Sequence, residues 1–376
     1  MRIAVNTRLL VPGKMDGIAR FTFESLKLIC EKHSEHHFDF IFDRKPPSGF
    51  NFPSNVSFHK LSPPARHPIL WWIWFELRLK KFVNKGSYDL FLSPEGWIPP
   101  ELNCPSLGVI HDLNFVHHPE NIIASHRKYL RHYFPKFAQR ASRIATVSAF
   151  SKADICRTYR IKTDRIDVVY NGALESFKPI TEEEKSQLKA SYSNGYPYFI
   201  FIGTLHPRKN LEHLFKAFEL FKKTDKHNTK LLVVGNRKWW PTELEELYQE
   251  MLAKNSVVFC GRQSDEQLSK MLAAADGLTY LPYFEGFGIP ILEAFQSGTP
   301  VITSNVSSMP EIAQDAAILC KPKSEQQIAH AMQKLMENKK LKQELIEKGL
   351  KRAQDFSWSR TADLLWESML KTQKNG

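Results

Sequence analysis

Cysteine is scarce in this sequence, and its spacing excludes a disulfide framework. Five cysteines are scattered over 376 residues, without a C-x-x-C pair or a histidine cluster at metal-ligand spacing. A disulfide-rich secreted domain and a zinc module would both need such spacing. We therefore expect buried, reduced thiols in a cytoplasmic protein.

Long hydrophobic runs are missing as well. The opening stretch MRIAVNTRLLVPG lacks the apolar core and the small-residue cleavage site of a signal peptide, and it predicts a first strand instead. Residues 69–83, ILWWIWFELRLKKFV, are too short and too charged to span a bilayer. This segment is either a core helix with a buried stripe at Leu70, Ile73, Trp74 and Leu77, or an interfacial helix at a lipid surface.

The chain has too few acidic residues to balance its cations. Its formal net charge is +12, which attracts polyanions. We expect no nucleic-acid partner, because the sequence contains no recognisable binding module and no dense basic stripe. Phosphorylated ligands and an anionic membrane remain as candidate partners of the positive charge. The basic and aromatic segment 125–140, SHRKYLRHYFPKFAQR, either contacts the inner face of a membrane or only covers a sheet.

Short apolar runs alternate with helical patterns and predict an α/β fold. Many of the runs end on Gly, Ser, Asp or Pro, as buried parallel strands do. They are RIAV, FDFIF, YDLFLS, SLGVIHD, RIATVSA, YFIFIG, KLLVVG, SVVFCG, GLTYLP and PVITS. The rhythm stops over residues 171–197, so we predict two domains, 1–178 and 179–356, each with one doubly wound parallel sheet. Ligand sites are expected beyond the carboxyl ends of the strands, in a cleft between the sheets.

The stretch YFEGFGIPILEAFQSGTPV, residues 283–301, contains two glutamates in an E-x7-E pattern. Pro290 and Gly298 predict a helix that starts near the proline and ends at the glycine. Glu285 then precedes the helix and Glu293 lies within it, so the two carboxylates flank a helix N-terminus that favours an anion. Ionised carboxylates bind sugar hydroxyls strongly, so a ligand with both sugar and phosphate groups fits.

Two other interpretations of this stretch are weaker. A dinucleotide fingerprint is not expected, because Ile291 stands where the third glycine belongs and the next strand runs into Asn305 rather than an acidic residue. A glutamate-capped turn before an ordinary surface helix would explain either glutamate alone. It does not explain both glutamates together with the glycines between them.

Another predicted strand end, FIGTLHPRKNLEHLFKAF, places two cations before an amphipathic helix. Arg208 and Lys209 precede Asn210, a residue type that caps helices. Two cations beside a helix N-terminus are what a diphosphate needs as negative charge develops on it. A solvated Arg-Lys pair is the alternative, and the position after a strand favours the functional interpretation.

In the first half of the sequence, a histidine and a glycine loop also follow predicted strands. His111 and Asp112 end the strand SLGVIHDLNF, where a histidine can handle a proton, although a lone histidine is more often structural. Gly13 and Gly17 stand in the loop of GKMDGIARF before a helix. Glycines there allow close backbone approach to a ligand, which is a weak signal by itself.

These segments together resemble the family-4 retaining glycosyltransferases of the GT-B fold. The resemblance spans nearly the whole chain and rests on KMDGIARF, VIHDL, TVSAFSKADI, GTLHPRKN and FEGFGIPILEAFQSGTPVITSNVSSMPEI. It implies two Rossmann-like domains, an acceptor-side domain 1–178 and a donor-binding domain 179–356. It also implies that a C-terminal helix, residues 357–376, returns to the first domain, with Trp358 and Trp366 as packing residues.

The resemblance also implies a set of residues that contact a nucleoside-diphosphate sugar. They are Gly17, Gly203, Arg208, Lys209, Glu285, Gly286, Phe287, Gly288 and Glu293. In the family's pattern Glu293 holds the ribose of the donor. Glu285 and the backbone of residues 286–288 contact the transferred sugar, and Arg208 with Lys209 neutralises the diphosphate.

The implied reaction retains the anomeric configuration and needs neither a metal nor a cofactor. His111 corresponds to the family histidine near the reacting sugar carbon, and Gly17 approaches the donor phosphates. The sequence has no D-x-D motif. The run SGTPVITSNVSSMPEI is most similar to the mannosyltransferase branch, so we expect GDP-mannose as donor and a glycan or lipid-linked saccharide of a cell-surface polysaccharide as acceptor. A sugar-nucleotide epimerase and a non-catalytic sugar-nucleotide binding subunit are the alternatives.

Overall fold

The computed structural model describes residues 1–13, 15, 17–46, 49–237 and 241–374. The chain divides into two compact units. The first unit comprises Met1–Gly172 with Ser357–Gly376, and the second comprises Ala173–Phe356. The sequence placed the same division between residues 178 and 179. All five cysteines are free thiols, but only Cys30 and Cys320 are buried as expected, whereas Cys104, Cys156 and Cys260 are half-buried.

The first unit contains a parallel sheet covered by helices. Its strands are β1 (Arg2–Asn6), β2 (His37–Phe42), β3 (Val56–Lys60), β4 (Leu90–Ser93), β5 (Ser106–Val109), β6 (Arg143–Thr146) and β7 (Ile166–Val168). Its helices are α1 (Gly17–Lys32), α2 (Pro68–Trp72), α3 (Lys80–Lys85), α4 (Asn114–His117), α5 (Ala124–Arg140), α6 (Ala149–Tyr159) and α15 (Trp358–Lys374). A π-helical segment, Ile73–Leu79, joins α2 to α3.

The second unit repeats this architecture. Its strands are β8 (Tyr198–Ile202), β9 (Lys230–Val234), β10 (Val257–Gly261), β11 (Gly277–Tyr280), β12 (Val301–Ser304) and β13 (Ala317–Cys320). Its helices are α7 (Glu182–Ser193), α8 (Leu211–Lys222), α9 (Thr242–Ala253), α10 (Asp265–Ala273), α11 (Ile289–Gln296), α12 (Met309–Ala313), α13 (Glu325–Glu337) and α14 (Lys339–Ala353).

Both sheets are doubly wound. The strand orders are β3-β2-β1-β4-β5-β6-β7 and β10-β9-β8-β11-β12-β13, and the strand pairs are parallel. In each sheet the order reverses direction beside the first strand of the unit, β1 or β8. Ligands of such sheets bind beyond the carboxyl ends of the strands near this reversal. The predicted fold class is confirmed.

The strands form where the sequence has short runs of β-branched and aromatic residues. Strands β8 and β9, YFIFI and KLLVV, are buried at every position, as expected for a sheet with helices on both faces. All ten strands predicted from apolar runs are present. The described residues contain three further strands, β3, β7 and β13, which the sequence did not predict because they are edge strands with polar or exposed positions.

The tryptophan-rich segment differs from the buried stripe predicted for it. Trp74 is fully buried, but Leu77 is 50% exposed, and Leu70 and Ile73 are half-buried. The prediction assumed a regular α-helix, whereas Ile73–Leu79 is π-helical. A π turn closes i→i+5 hydrogen bonds, so the buried face advances by more residues per turn and Leu77 leaves it.

The C-terminal helix α15 packs on the first unit, as predicted. Trp358 and Trp366 are 7% and 8% exposed. The Trp366 ring stacks on His33, which directly follows α1, with 4.0 Å between centroids. Lys32 Nζ, at the end of α1, lies 2.6 Å from Asp363 Oδ1. The last helix of the chain therefore completes a layer of the first unit.

Candidate functional site

The candidate site is built at the carboxyl ends of β8 and β11 in the second unit. The chain leaves β8 through Gly203 and forms a single 3-10 turn, Pro207–Lys209, before α8 begins. It leaves β11 after Tyr280 and runs through an irregular loop to α11. Since parallel neighbouring strands end at the same edge, both loops reach one place.

Glu285 in the β11 loop contacts both cations of the β8 loop. Its Oε1 accepts from Nη1 of Arg208 and is also in direct contact with Nζ of Lys209. Arg208 Nη1 also donates to the carbonyl of Phe284 at 3.3 Å. Glu285 and Lys209 are 8% and 9% exposed, so the ion pair lies out of bulk water. The structure thus brings three of the predicted site residues together, and their roles in donor binding stay a prediction.

The electrostatics keep Glu285 ionised. Burial by itself raises the pKa of a carboxyl group, but the charges of Arg208 and Lys209 outweigh it. Hydrogen bonds from Lys209 and Tyr280 add to their effect, so the pKa of Glu285 lies below its ordinary value. The site therefore presents a carboxylate that can accept from hydroxyl groups, next to two cations.

Tyr280 contacts this ion pair through Lys209. Lys209 Nζ donates to Tyr280 Oη at 2.5 Å and lies 4.9 Å from the centre of the tyrosine ring. Burial, followed by the negative charge of Glu285, raises the pKa of Tyr280 well above its ordinary value. Gly203 adjoins the same lysine, since a Cβ there would lie 3.8 Å from Lys209 Cε. Tyr280 was not identified from the sequence, because a tyrosine is an ordinary residue in a predicted strand.

The loop from β11 enters α11 through Gly288. This glycine has a φ of +101°, and a Cβ at this position would lie 2.6 Å from Cε of Met309. The helix has Pro290 in its first turn and is followed by Gly298 with a φ of +67°, as the sequence predicted. The glycine therefore lets the backbone turn sharply and brings the α11 N-terminus against the loop of Glu285.

Glu293 lies on α11 and is partly buried. After burial and the closer charge of Glu285, the charge of Glu293 also contributes to the raised pKa of Tyr280. The two carboxylates of the E-x7-E pattern therefore act on one tyrosine, although they belong to different elements. They do not share a helical face, as expected.

Ser308 supports the site and was not identified from the sequence. It is fully buried, and its Oγ is within hydrogen-bond distance of two carbonyl oxygens, of Glu285 at 2.9 Å and of Phe287 at 3.1 Å. A hydroxyl donates one proton, so the two carbonyls share it. The serine ties α12 to the Gly-Phe-Gly turn. The available sequence signal was its position directly before Met309 and Pro310, which predicts the start of a helix.

Asn210 precedes α8, but it does not cap the helix with its side chain. Its φ is +60°, and no side-chain hydrogen bond to the first turn forms. Instead, Nδ2 donates to the carbonyls of Leu281 at 3.0 Å and Pro322 at 2.6 Å. The asparagine thus fastens the Arg208 loop to the end of β11. The expected cap is replaced by a tether between the two loops of the site.

In the first unit His111 follows β5. Its Nε2 lies 2.8 Å from the carbonyl oxygen of Pro94, and the Phe21 ring stands edge-on at 5.0 Å. Asp112 accepts from the amide of Asn114 at 2.9 Å, which is a local turn contact. His111 is therefore held by the end of β4, and Asp112 organises the start of α4.

The glycine loop of the first unit is only partly described. Gly17 is the first residue of α1 and is exposed. Gly13 has a φ of +71° and open space where a Cβ would stand. Residues 14 and 16 lie outside the described residues. Within the described ranges, no group of three His, Cys, Asp or Glu side chains is placed to hold a metal ion, and metal independence stays a prediction.

Comparisons with known proteins agree for both units. Residues 16–173 match the model of Glycosyltransferase Family 4, and residues 182–352 match that of Glycosyl transferases group 1. The O-antigen chain mannosyltransferase B of Escherichia coli is 30% identical over 356 residues, which cover 92% of this chain and 93% of that protein. The O-antigen chain mannosyltransferase RfbU of Salmonella typhimurium is 26% identical, with 79% and 78% covered.

Solved structures share the fold. Sucrose-phosphate synthase from Thermosynechococcus elongatus superposes with a TM-score of 0.79 at 20% identity and 97% coverage of both chains. WaaG, a glycosyltransferase involved in lipopolysaccharide biosynthesis, superposes with a TM-score of 0.74 at 18% identity, with 98% of this chain and 99% of WaaG covered. The family matches, the 30% identical relative and the two doubly wound sheets agree: the chain belongs to the family-4 glycosyltransferases and has the GT-B fold.

Proposed function

We propose that this glycosyltransferase transfers mannose from GDP-mannose, with retention of configuration and without a metal ion, to a glycan or lipid-linked saccharide of a cell-surface polysaccharide. Two relatives named as O-antigen mannosyltransferases support the donor sugar and the class of acceptor. The observation that carries the proposal is the contact of Glu285 with Arg208 and Lys209 at the carboxyl edge of the second sheet.

The charges of this site suit a sugar diphosphate. Arg208 and Lys209 place two cations at this edge of the sheet, where they can stabilise the negative charge that develops on a departing diphosphate. Arginine presents a planar fork that binds phosphate oxygens in pairs, and lysine adds a compact charge. Glu285 accepts from hydroxyl groups of the transferred sugar, and Glu293 accepts from the donor ribose. Gly203 and the backbone of residues 286–288 line the same ligand.

The proposed step breaks one bond and forms another on the same face of the sugar. The acceptor oxygen bonds to the anomeric carbon, the bond from that carbon to the diphosphate oxygen breaks, and its electron pair stays on the diphosphate. The acceptor proton passes to the departing phosphate. No enzyme nucleophile takes part, so stabilisation of the diphosphate is the main catalytic contribution. His111 contacts the transferred sugar and Gly17 the donor phosphates.

A transfer assay tests this function. Radiolabelled GDP-mannose is incubated with the protein and lipid-linked saccharides extracted from bacterial membranes, in the presence of a metal chelator. We expect label in the saccharide, GDP as the second product, and the α-linkage that retention requires. A β-linkage or a requirement for added metal would contradict the mechanism. Conversion of the donor without acceptor would favour an epimerase, and label transfer from UDP-sugars alone would contradict the donor.

We also propose that the first unit binds an anionic membrane surface. Ile69 and Trp72 of α2 are 63% and 39% exposed, and Ile123, just before α5, is 59% exposed. Trp71 contacts His126 with 4.6 Å between ring centroids, which places α2 beside α5. Large exposed apolar side chains on neighbouring helices suit the interfacial region of a bilayer.

Helix α5, which lies beside α2, also carries positive charges that attract anionic lipids. An open depression of about 530 Å³ on α5 is lined by Ala124, Arg127, Lys128, Arg131 and His132. Each cation near an anionic surface contributes roughly 1 kcal/mol to binding. Among the described helices none has the length and the apolar character to cross a membrane. The proposed location is peripheral, on the cytoplasmic face.

Vesicle sedimentation tests the membrane contact. At low salt we expect the protein to sediment with phosphatidylglycerol vesicles and not with phosphatidylcholine vesicles. The Arg127→Glu/Arg131→Glu variant should stay in the supernatant. Phe58→Ser is the matched control, because Phe58 is 45% exposed on β3, and it should sediment like the wild type. Equal sedimentation of the charge-reversed variant would contradict the proposed surface.

A further inference from the structure

A tight turn at the end of β4 lies against the end of β5 in the first unit. The amide of Gly96 donates to the carbonyl of Ser93 at 3.1 Å, so Pro94 and Glu95 occupy the two central positions. Gly96 has a φ of +78°, and a Cβ there would lie 3.2 Å from the carbonyl oxygen of Val109. The turn therefore packs directly on the strand that leads to His111.

The side chain of Glu95 is anchored by a buried arginine from the loop after β1. Arg8 Nε and Nη2 donate to Oε1 and Oε2 of Glu95 at 2.7 and 2.5 Å. The two residues are 8% and 9% exposed. Asn6 Nδ2 donates to Oε1 at 2.7 Å, and the Arg8 guanidinium lies 5.1 Å from the ring centre of Trp97. This geometry fixes both ends of the Glu95 side chain.

This turn also holds the imidazole ring of His111. The peptide group between Pro94 and Glu95 supplies the carbonyl oxygen that lies 2.8 Å from His111 Nε2. A carbonyl oxygen only accepts, so Nε2 carries a proton, and in the neutral ring the lone pair is on Nδ1. The backbone of His111 is held as well, because Ser151 Oγ donates to its carbonyl at 3.1 Å.

A buried ion pair is a poor way to gain stability alone. Desolvating two charges costs several kcal/mol, and an apolar pair of similar volume often does as well or better. The Arg8–Glu95 pair also bridges the carboxyl ends of β1 and β4, where ligands of doubly wound sheets bind, rather than the far side of the sheet. Its place and its connection to Pro94 indicate a positioning role.

We propose that Arg8 and Glu95 are positioning residues that hold the Pro94 carbonyl on His111 and so set the tautomer and orientation of its ring. The proposal deepens the proposed function and rests on the role given there to His111. Without the ion pair the Glu95 side chain no longer anchors the Pro94–Glu95 peptide group, so the Pro94 carbonyl shifts and the histidine loses the acceptor that selects its protonated nitrogen. A ring held in the wrong tautomer cannot present the same atom to the sugar.

Glu95→Gln tests the positioning role, with Asp167→Asn as the matched control. Asp167 also forms a two-point pair with an arginine of the same unit, Arg143, at 3.0 and 2.8 Å, but between β6 and β7 and away from His111. Nitrogen-15 spectra of labelled histidine, assigned with His111→Gln, report which ring nitrogen is protonated. We expect one Nε2-protonated form in the wild type and the control, and a mixture or the other tautomer in Glu95→Gln.

Kinetics separate positioning from stability. With radiolabelled GDP-mannose and the membrane saccharide extract, Glu95→Gln should lower kcat by roughly 10- to 100-fold with little change in KM for the donor, and Asp167→Asn should not. If Glu95→Gln does not fold, the apolar pair Arg8→Met/Glu95→Leu replaces it, with the same expectation. Unchanged histidine spectra in the folded variant would overturn the proposal. Full activity of His111→Gln would instead contradict the role of His111, whereas the spectra would still decide the positioning.

Discussion

Glu285 keeps its charge inside the second unit because two cations stand beside it. Arg208 and Lys209 contact the same carboxylate oxygen, and Tyr280 lies underneath. Loss of Glu285 leaves two cations without their carboxylate, and loss of either cation leaves the carboxylate with a single partner charge. The residues proposed to bind the donor therefore also stabilise the loops that carry them, and mutations here should affect stability and activity together.

Replacement of Glu285 by glutamine should reveal this double role. Removing one partner of a buried ion pair typically costs about 3 kcal/mol or more, because the other charges stay buried. We expect a loss of that order in the free energy of unfolding, measured with urea, and a fall in mannose transfer of roughly 10²–10³-fold. Glu212→Gln is the control, since its pair with Lys216 is exposed and should contribute less than about 1 kcal/mol.

The lowered pKa of Glu285 predicts how stability depends on pH. Its folded-state pKa lies below the ordinary glutamate value of about 4.3. The unfolded carboxyl takes up a proton first as the pH falls, so protonation favours unfolding. The stability difference between the wild type and Glu285→Gln should be full at pH 7 and shrink as the pH falls below about 4. A difference that stays constant from pH 7 to pH 3 in urea titrations would contradict this.

At the scale of elements, the turn into α11 depends on a single glycine. Gly288→Ala introduces a Cβ at a φ of +101°, 2.6 Å from Met309 Cε, where the buried methionine has to move. A left-handed backbone alone costs an alanine about 1–2 kcal/mol. We expect a larger loss in thermal and urea stability for Gly288→Ala than for Gly261→Ala, and weaker GDP-mannose binding only in the former.

Gly261 is the matched control because it has a φ of +64° and open space around the Cβ position. Its alanine variant therefore measures backbone strain without a steric contact. Equal stability losses for the two variants would show that Met309 does not restrict the turn. Unchanged donor binding by Gly288→Ala would separate this turn from the donor site.

Sequence patterns predicted the elements better than the contacts between them. Buried strands are recognisable as apolar runs in the sequence, whereas β7, with three residues, is too short to show a hydrophobic pattern. The cations and carboxylates at strand ends were found because ligands of doubly wound sheets bind beyond the carboxyl ends of the strands. The partnership of Arg8 with Glu95 was missed, since the two residues are far apart in sequence and neither stands in a recognisable motif.

At the scale of the whole molecule, the first unit is assembled from two separate parts of the chain. A Cβ at Gly172 would lie 2.3 Å from the amide nitrogen of Trp358, so the two crossing points of the chain are in close contact. Trp366 is packed on two histidine rings, of His33 and His36. Residues 173–356 form the second unit without any such return segment.

Removing the packing of α15 should therefore weaken only the first unit. Trp366→Ala deletes a large buried side chain, which typically costs about 3–5 kcal/mol. Hydrogen exchange followed by mass spectrometry should show faster exchange in β1 and α1 and unchanged exchange in β8 and β9. Trp72→Ala is the control, because Trp72 is 39% exposed and its loss should leave exchange in β1 unchanged. Faster exchange throughout both units would contradict the division.

Donor binding tests the central claim most directly. Thermal unfolding is measured with GDP-mannose, UDP-glucose, UDP-N-acetylglucosamine and dTDP-rhamnose, for the wild type, Arg208→Ala and the control Lys216→Ala. GDP-mannose at ~100 times its Kd should stabilise the wild type and the control by about 2.7 kcal/mol and should not stabilise Arg208→Ala. No stabilisation by GDP-mannose, or an equal stabilisation of the Arg208→Ala protein, would contradict the proposed donor site.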